Sequence, residues 1–217
     1  MRDLPRTAQG LFSKGEAAVK GGNYESATEI YTTILTNWKA DAEACARAIA
    51  GLGEVYIRAM NLQLGEKYVK RALGYNPLAP HYHYLLGFRY CVDRQWERAR
   101  VEFEVAVKQE PENPEYLRGL GWVLCNSGRA SEGREYLLQA LAFAPDDINI
   151  LTGLAVVYMD TREFGKALDY ARRAASIAPT NALVQLTYEV LAGIAHLAAN
   201  ATCQTKKPAE RAEQRQR

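Results

Sequence analysis

Two cysteines and two histidines are the residues of this sequence whose types and spacing could do chemistry. Cys91 and Cys125 stand 34 residues apart, and His81 and His83 precede Cys91 on the same predicted helix. Thiolate and imidazole groups are the ligands that Zn²⁺ prefers, and two close thiols can also undergo redox chemistry. A free cysteine inside a helix is more often a small apolar filler, so we expect no metal here and keep such a site as the weaker alternative.

Other sequence patterns that indicate catalysis are incomplete or missing. Gly51–Gly53 and Gly119–Gly121 both have the sequence GLG, but each lacks the third glycine of a dinucleotide-binding loop and lies inside a helical pattern. No phosphate-binding loop, metalloprotease or nucleophile-elbow motif occurs. The sequence therefore predicts a protein that is not an enzyme and that has no cofactor.

The composition is that of an ordinary globular protein and disfavours several functional classes. The chain has 217 residues, 48% of them apolar, and its net charge of +2 is small for a nucleic-acid binder. The start, MRDLPRTAQG, lacks the apolar run of a secretory signal, and no stretch of about 18 uncharged apolar residues could span a membrane. We therefore expect a cytoplasmic protein whose four cysteines are reduced.

Residues at a constant spacing reveal an internal repeat of 34 residues. The spacing holds without a slip for two residue types over four periods, namely Pro77, Pro111, Pro145 and Pro179, and Ala72, Ala106, Ala140 and Ala174. Within one period, two stripes of apolar residues at helical spacing are separated by the polar segment DRQ. Each proline lacks an amide donor and disfavours helix in the residue before it, so each second helix ends there. The repeat is therefore predicted to be a hairpin of two antiparallel helices.

The residue types at fixed places of this repeat resemble the tetratricopeptide repeat. Small residues occupy the eighth and twentieth places, an aromatic residue or leucine the eleventh, and proline the thirty-second. The resemblance implies an all-α fold, a right-handed α-solenoid of antiparallel helix hairpins that stack around a continuous core. It divides the chain into a lead at 1–7, five repeats at 8–41, 46–79, 80–113, 114–147 and 148–181, a capping helix at 182–199, and a polar, disordered tail at 200–217.

The same resemblance implies which residues line the concave groove of the solenoid. In similar proteins, ligands contact the second, fifth, sixth, ninth, twelfth and thirteenth places of each repeat. The groove residues predicted in this way are Tyr84, Leu85, Phe88, Cys91, Arg118, Trp122, Cys125, Val156 and Met159. Most are apolar or aromatic, so we expect an amphipathic helix or an extended apolar segment of a partner to bind there. Family members that bind a terminal carboxylate use asparagine first among the ninth places of their repeats. Glu16 and Glu54 stand at the ninth places of the first two repeats here, which argues against that activity.

The predicted capping helix carries more apolar residues than one buried face needs. One stripe, which contains Val184 and Leu191, would pack on the fifth repeat. A second stripe consists of Leu183, Leu186, Val190 and Ile194. We expect the helix to be wedged against the fifth repeat so that both stripes are buried. The alternative is that the second stripe is a further interface, for self-association or for a partner.

The favoured function is that of a non-catalytic interaction scaffold or chaperone-like adaptor that holds a segment of an unidentified partner protein in its groove. A second interpretation is a secretion- or pilus-assembly-type chaperone, which would guard apolar segments of exported proteins. A third is a structural scaffold that assembles into a homo-oligomer. None of these involves nucleic acid or a membrane span.

Overall fold

The computed structural model describes the backbone of residues 6–214 and the side chains of residues 8–198. This part of the chain forms eleven helices and no strand, which confirms the predicted all-α repeat fold. The helices are α1 (Arg6–Lys20), α2 (Tyr24–Asn37), α3 (Ala42–Arg58), α4 (Leu62–Leu73), α5 (Pro80–Val92), α6 (Trp96–Gln109), α7 (Pro114–Asn126), α8 (Ala130–Phe143), α9 (Ile148–Asp160), α10 (Phe164–Ile177) and α11 (Ala182–Gln214). None of the described helices combines the length and the apolar composition that crossing a membrane requires.

The chain divides into two compact units, and the boundary between them falls within α7. The N-terminal unit ends at Val123 and the C-terminal unit begins at Leu124. In the N-terminal unit, each helix from α1 to α5 packs against the helix that shares its hairpin, and α3 also contacts α1, α2 and α5. In the C-terminal unit, α8 packs on α9, α9 on α10 and α10 on α11. Within each unit, neighbours in sequence are therefore neighbours in space, as in stacked helix hairpins.

The first helix of each hairpin begins at a constant step along the chain. From the third repeat onward these helices start at Pro80, Pro114, Ile148 and Ala182, so the 34-residue period of the sequence is also the period of the structure. Proline costs no hydrogen bond at a first helical position, because that amide has no partner within the helix. Asn113 and Asp147 precede two of these helices, and each side chain accepts a hydrogen bond from the amide two residues later, at 3.0 and 2.7 Å.

The irregular first repeat lengthens one helix. α3 has 17 residues, whereas α5, α7 and α9 have 13 each. The first turn of α3 is capped by Asp41, whose carboxylate accepts a hydrogen bond from the Ala44 amide at 3.0 Å. The four residues by which this repeat exceeds the period thus form an additional helical turn at the start of α3.

Each hairpin turns at one residue with a positive φ angle, which is always the fifteenth residue of its repeat. The φ angles range from 55° to 86° at Gly22, Met60, Arg94, Gly128 and Arg162. Glycine adopts this conformation freely, whereas the Cβ of methionine or arginine is strained in it. The packing of the two helices therefore imposes the turn even where the sequence offers no glycine.

An aromatic ring on α6 fills the space that two glycines leave open. Phe103 is 2% exposed and faces Gly87 on α5 and Gly119 on α7. A Cβ added at either glycine would lie 2.8 Å from the ring, closer than the roughly 3.5 Å at which carbon atoms pack. The ring thus joins α6 to the first helices of its own repeat and of the next one.

Tyr31 on α2 makes the same arrangement two repeats earlier. Its ring lies against Gly15 on α1 and Gly51 on α3, where an added Cβ would lie 2.9 and 2.5 Å from it. Tyr31 and Phe103 occupy the same place, the twenty-fourth, of the first and third repeats. We call these two residues the aromatic wedges.

The second repeat replaces this arrangement by residues of different size. Its twenty-fourth place is the smaller Val69, which lies against Gly53 on α3. Each aromatic wedge faces a glycine at the sixth place of the repeat that follows it. In the repeat that follows Val69, the sixth place holds Leu85, which is only 2% exposed. The larger Leu85 thus accompanies the smaller Val69, which keeps the interior filled.

The C-terminal unit buries one face of α11. Val184 is 5% exposed and belongs to a core cluster with Leu151, Ala174 and Ala175. Leu191, two turns later on the same face, is 4% exposed. This face corresponds to the first apolar stripe of the sequence.

The second stripe of α11 remains outside the core. Its members Leu183, Leu186 and Val190 are exposed, and Ile194 is partly buried. The expectation that both stripes are buried is therefore wrong, because none of the described helices follows α11 to cover its opposite face. α11 also continues to Gln214, beyond the end expected at residue 199. Residues 1–5 of the predicted lead and 215–217 of the predicted tail lie outside the described part of the chain.

The aromatic wedges predict that a single added methyl group destabilises the N-terminal unit. Gly87→Ala should lower the free energy of unfolding by about 1–3 kcal/mol, because the new Cβ overlaps the Phe103 ring. Gly10→Ala in α1 is the control, because a Cβ there meets nothing within 4 Å, and it should be neutral or stabilising by up to about 1 kcal/mol. Urea unfolding followed by circular dichroism compares the three proteins. Equal midpoints for Gly87→Ala and the wild type would show that the wedge does not constrain the helices.

Because the turns are strained, we predict that glycine at such a turn raises the free energy of unfolding. Met60 is largely exposed and has a φ angle of 63°, so Met60→Gly should raise the free energy of unfolding by about 0.5–1 kcal/mol through release of strain. Met60→Ala keeps the Cβ and should remain within about 0.5 kcal/mol of the wild type. If the glycine variant proves no more stable than the alanine variant in the same urea experiment, the backbone of this turn is not strained.

Candidate functional site

An apolar pocket opens in the N-terminal unit between α5, α6 and α7. Its volume is about 230 Å³. It is lined by Tyr84, Phe88, Cys91, Val92, Phe103, Arg118, Gly119 and Trp122. The aromatic wedge on α6 is part of this lining, together with the glycine on α7 that lies against it. The packing that joins two repeats thus also forms the pocket.

Two aromatic side chains flank the pocket. Phe88 on α5 and Trp122 on α7 stand at the ninth places of adjacent repeats, and each is 42% exposed. The Trp122 ring lies edge-on to Trp96, with 5.4 Å between the ring centroids, so its orientation is held by packing. Val92 adds an exposed aliphatic surface to the same lining. Such ordered, partly exposed rings can make large contacts with an apolar side chain at little cost in entropy.

One corner of the pocket is polar. The hydroxyl of the buried Tyr84 donates a hydrogen bond to Glu115 Oε1 at 2.9 Å, and Arg118 Nη2 donates to that hydroxyl at 3.4 Å. Burial and the nearby Glu115 carboxylate raise the pKa of Tyr84 well above its usual value, so the hydroxyl stays protonated and remains a donor. This corner can therefore orient a bound segment through hydrogen bonds.

Cys91 lines the pocket with a thiol, a group that can act as a nucleophile. Its side chain is 9% exposed, and burial raises the pKa of the thiol to about 12. Cys125, in the C-terminal unit, has a pKa raised to about 11 by burial and by the charge of Asp160. Only the thiolate is reactive, so both cysteines act as apolar side chains near neutral pH.

A charged cavity of about 340 Å³ lies in the same unit and shares Tyr84 with the pocket. Arg58 Nε donates to Glu54 Oε1 at 2.8 Å, and His81 Nε2 lies 3.8 Å from Glu54 Oε2. Burial alone would raise the pKa of Glu54, but His81 and Arg58 more than offset it, so this pKa lies below its usual value. Arg58 therefore already has a carboxylate partner within this cavity.

The structure brings together five of the nine residues that the sequence predicts for the groove, namely Tyr84, Phe88, Cys91, Arg118 and Trp122. Leu85 differs, because its side chain is buried in the core and lines no part of the pocket. Cys125, Val156 and Met159 belong to the C-terminal unit, where Val156 is 43% exposed and the other two are partly buried.

Three residues of the pocket are additional to that prediction. Val92 stands at the thirteenth place, which the family resemblance already marks as a groove place. Gly119 stands at the sixth place, which is also a groove place, but it carries no side chain. Phe103 lies on a second helix, where the resemblance marks no groove place, and only the packing of its ring against Gly119 shows that it lines the pocket.

Of the four residues considered as metal ligands, His83 makes two polar contacts within the fold. Among the described side chains, no group of three or more His, Cys, Asp or Glu could hold a metal ion. His83 lies with Nδ1 2.7 Å from Glu102 Oε2 and with Nε2 2.9 Å from the carbonyl oxygen of Pro77. Its ring therefore ties the loop before α5 to α6.

Comparison with known proteins identifies relatives of this repeat. A family model described as tetratricopeptide repeat matches residues 79–191, more than half of the chain. No curated protein matches at a significant level.

Several solved structures have a similar fold. A thermophilic TPR protein from Thermus thermophilus is 18% identical, with a TM-score of 0.73 over 85% of this chain and 98% of that one. The pilF protein of Pseudomonas aeruginosa is 20% identical, with a TM-score of 0.71 over 92% and 90%. MamA from Desulfovibrio magneticus is 15% identical, with a TM-score of 0.61 over 83% and 99%. At these identities, the likeness concerns the fold alone.

The raised pKa of Cys91 predicts slow alkylation in the folded protein. With a pKa of about 12 instead of 9, the thiolate fraction at pH 8 falls roughly a thousandfold, and burial slows the reaction further. Between pH 7 and 9 the rate should rise about tenfold per pH unit, and in urea it should approach that of a free thiol. Iodoacetamide labelling followed by peptide mass spectrometry measures the rate at each cysteine separately. Rapid labelling of Cys91 in the folded state would show that its thiol is accessible and acidic.

The raised pKa of Cys91 also makes the stability of the fold depend on pH. Burial disfavours the thiolate in the folded state, so the folded pKa lies above the unfolded one. The cysteine costs no stability below the unfolded pKa near 9, and stability is lost as the pH rises from there towards 12. Cys91→Ala should therefore reduce the loss of stability between pH 8 and pH 10, as measured by urea midpoints.

Proposed function

The chain belongs to the tetratricopeptide repeat family, and from this premise we propose that it is a non-catalytic scaffold that holds an apolar or amphipathic segment of a partner protein. Members of this family are generally protein–protein interaction scaffolds. The observation that carries the proposal is the apolar pocket with Phe88 and Trp122 exposed on either side of it. Aromatic anchors in a concave site are the usual centres of binding energy in protein interfaces.

The size of the pocket favours a side chain of a protein over a free small molecule. Its volume of about 230 Å³ is below the roughly 300–1,000 Å³ of typical small-molecule sites. A cavity of this size suits one or two large apolar side chains, with the remainder of the segment lying across Phe88 and Trp122. The polar corner formed by Tyr84, Glu115 and Arg118 would then orient the segment through its polar groups.

The proposal includes no chemical step. The Cys91 thiol is protonated at neutral pH and is therefore a poor nucleophile there. A cytoplasmic location forms part of the proposal and is supported by Cys45, Cys91 and Cys125, which are all free thiols.

A chaperone for apolar segments is a second candidate, favoured by the amount of exposed apolar surface. Besides the pocket, the C-terminal unit exposes Val156 on α9 and the second stripe of α11. A chaperone would slow the aggregation of many unrelated apolar clients, whereas a scaffold would select one sequence motif. Selection from a random-peptide display library distinguishes the two, because a scaffold enriches a consensus and a chaperone enriches apolar peptides without one.

The proposal predicts that two charges at the pocket abolish binding. Phe88→Glu combined with Trp122→Glu should weaken binding of the selected peptides at least a hundredfold, because both anchors are lost and two carboxylates face an apolar ligand. The control combines Leu78→Glu with Val101→Glu, two exposed apolar residues of the same unit that are not part of the pocket lining. Fluorescence anisotropy with labelled peptides measures the dissociation constants, and circular dichroism verifies that both variants are folded. Equal affinity for the wild type and the pocket variant would refute the proposed site.

A further inference from the structure

α11 exposes an apolar stripe that the proposed function does not use. The most exposed members are Leu183 at 73% and Leu197 at 68%, with Leu186 and Val190 at 56% and 51% between them. Ile194 continues the stripe and is partly buried. From here on, these five residues are called the α11 stripe.

The spacing of the α11 stripe matches the geometry of helix pairing. Leu183, Val190 and Leu197 are seven residues apart, which corresponds to the period of two helices that wind around each other. Apolar residues with this period form a nearly straight line along the helix, so another helix can cover all of them. The partner that suits the stripe is therefore an apolar helix of about four turns.

The α11 stripe is also symmetric about its centre. Leu186 and Ile194 lie four residues on either side of Val190, and Leu183 and Leu197 lie seven residues on either side. A helix with such a pattern is complementary to an antiparallel copy of itself, because a two-fold axis at Val190 superimposes one half of the stripe on the other. We propose that α11 pairs antiparallel with α11 of a second copy of this chain, with the two Val190 side chains at the two-fold axis.

The surroundings of the stripe agree with this occupant. Gly193 lies beside the centre, and a Cβ at that position would meet nothing within 4 Å, so a second helix can approach closely there. The two-fold axis relates Gly193 to Thr187, another small residue. Glu189 is the single Asp, Glu, Lys or Arg among residues 182–198, so pairing buries little charge.

The area of the α11 stripe sets the expected strength of the dimer. At roughly 60–120 Å² for each buried aliphatic side chain, five partly exposed residues offer about 300–600 Å² per copy. A stable dimer needs roughly 800 Å² from each partner, rim included. The stripe can thus form the apolar centre of a weak, reversible dimer.

Sedimentation velocity of the full chain between about 1 and 300 μM tests the association. The wild type should shift from monomer to dimer over this range, and Val190→Glu, which places two carboxylates across the axis, should raise the dissociation constant at least tenfold. Val101→Glu is the matched control, since Val101 on α6 is 50% exposed against 51% for Val190, and it should dimerise like the wild type. A wild type that remains monomeric throughout, or a dimer that Val190→Glu leaves unchanged, would overturn the proposal.

Cysteine cross-linking tests the antiparallel direction. In a Cys203→Ser background, Val190→Cys should form a disulfide-linked dimer on mild oxidation. Leu183→Cys and Leu197→Cys should each remain uncross-linked alone but cross-link when the two proteins are mixed. Cross-linking of Leu183→Cys with itself would indicate a parallel pair and overturn the proposed geometry. The Phe88, Trp122 double variant should dimerise normally, so failure of this proposal is distinguishable from failure of the peptide site.

Discussion

The contact between an aromatic ring and two facing glycines is the interaction on which the rest of this structure depends. Phe103 reaches from α6 to the backbones of α5 and α7, and a methyl group at either glycine would overlap the ring. Because the ring is nearly completely buried, it contributes a large apolar contact area to two helix interfaces at once. One side chain therefore holds the helices on both of its sides at short distance.

The candidate site is a consequence of the same contact. A ring that fills the interior of a helix pair also presents part of its surface to the pocket between α5 and α7. The pocket is apolar at its base because the wedge is apolar, and its sides are aromatic because the ninth places of two adjacent repeats hold Phe88 and Trp122. The scaffold and the binding surface thus share atoms, which couples the shape of the pocket to the packing of the repeats. In this respect the pocket is preformed, which reduces the entropy that its own side chains lose when a partner binds.

The last helix shows what happens where the repeat stops. The first helices α1, α3, α5 and α9 each pack against the second helix of their own repeat, whereas α11 is the last helix that the structure describes and leaves one apolar face uncovered. Repeat proteins commonly carry a polar outer face at this position, because an apolar end invites association. The symmetric arrangement of apolar residues along α11 gives that association a defined partner, a second copy of the same helix.

The all-α class, the number of hairpins and their period were accessible without coordinates, because proline and small residues act locally. Each proline of the 34-residue series lies shortly after the end of a second helix, so the 34-residue step in these residues becomes a 34-residue step in helices. The pair of exposed aromatics, Phe88 and Trp122, was predicted from the resemblance, which marks the ninth place of each repeat as a groove place. The burial of Leu85, the part of Phe103 in the pocket, the positive φ angle at Met60 and the uncovered face of α11 required the tertiary structure. Each of these depends on the volume or the presence of a residue on another helix, and helical periodicity states which residues share a face but not what that face meets.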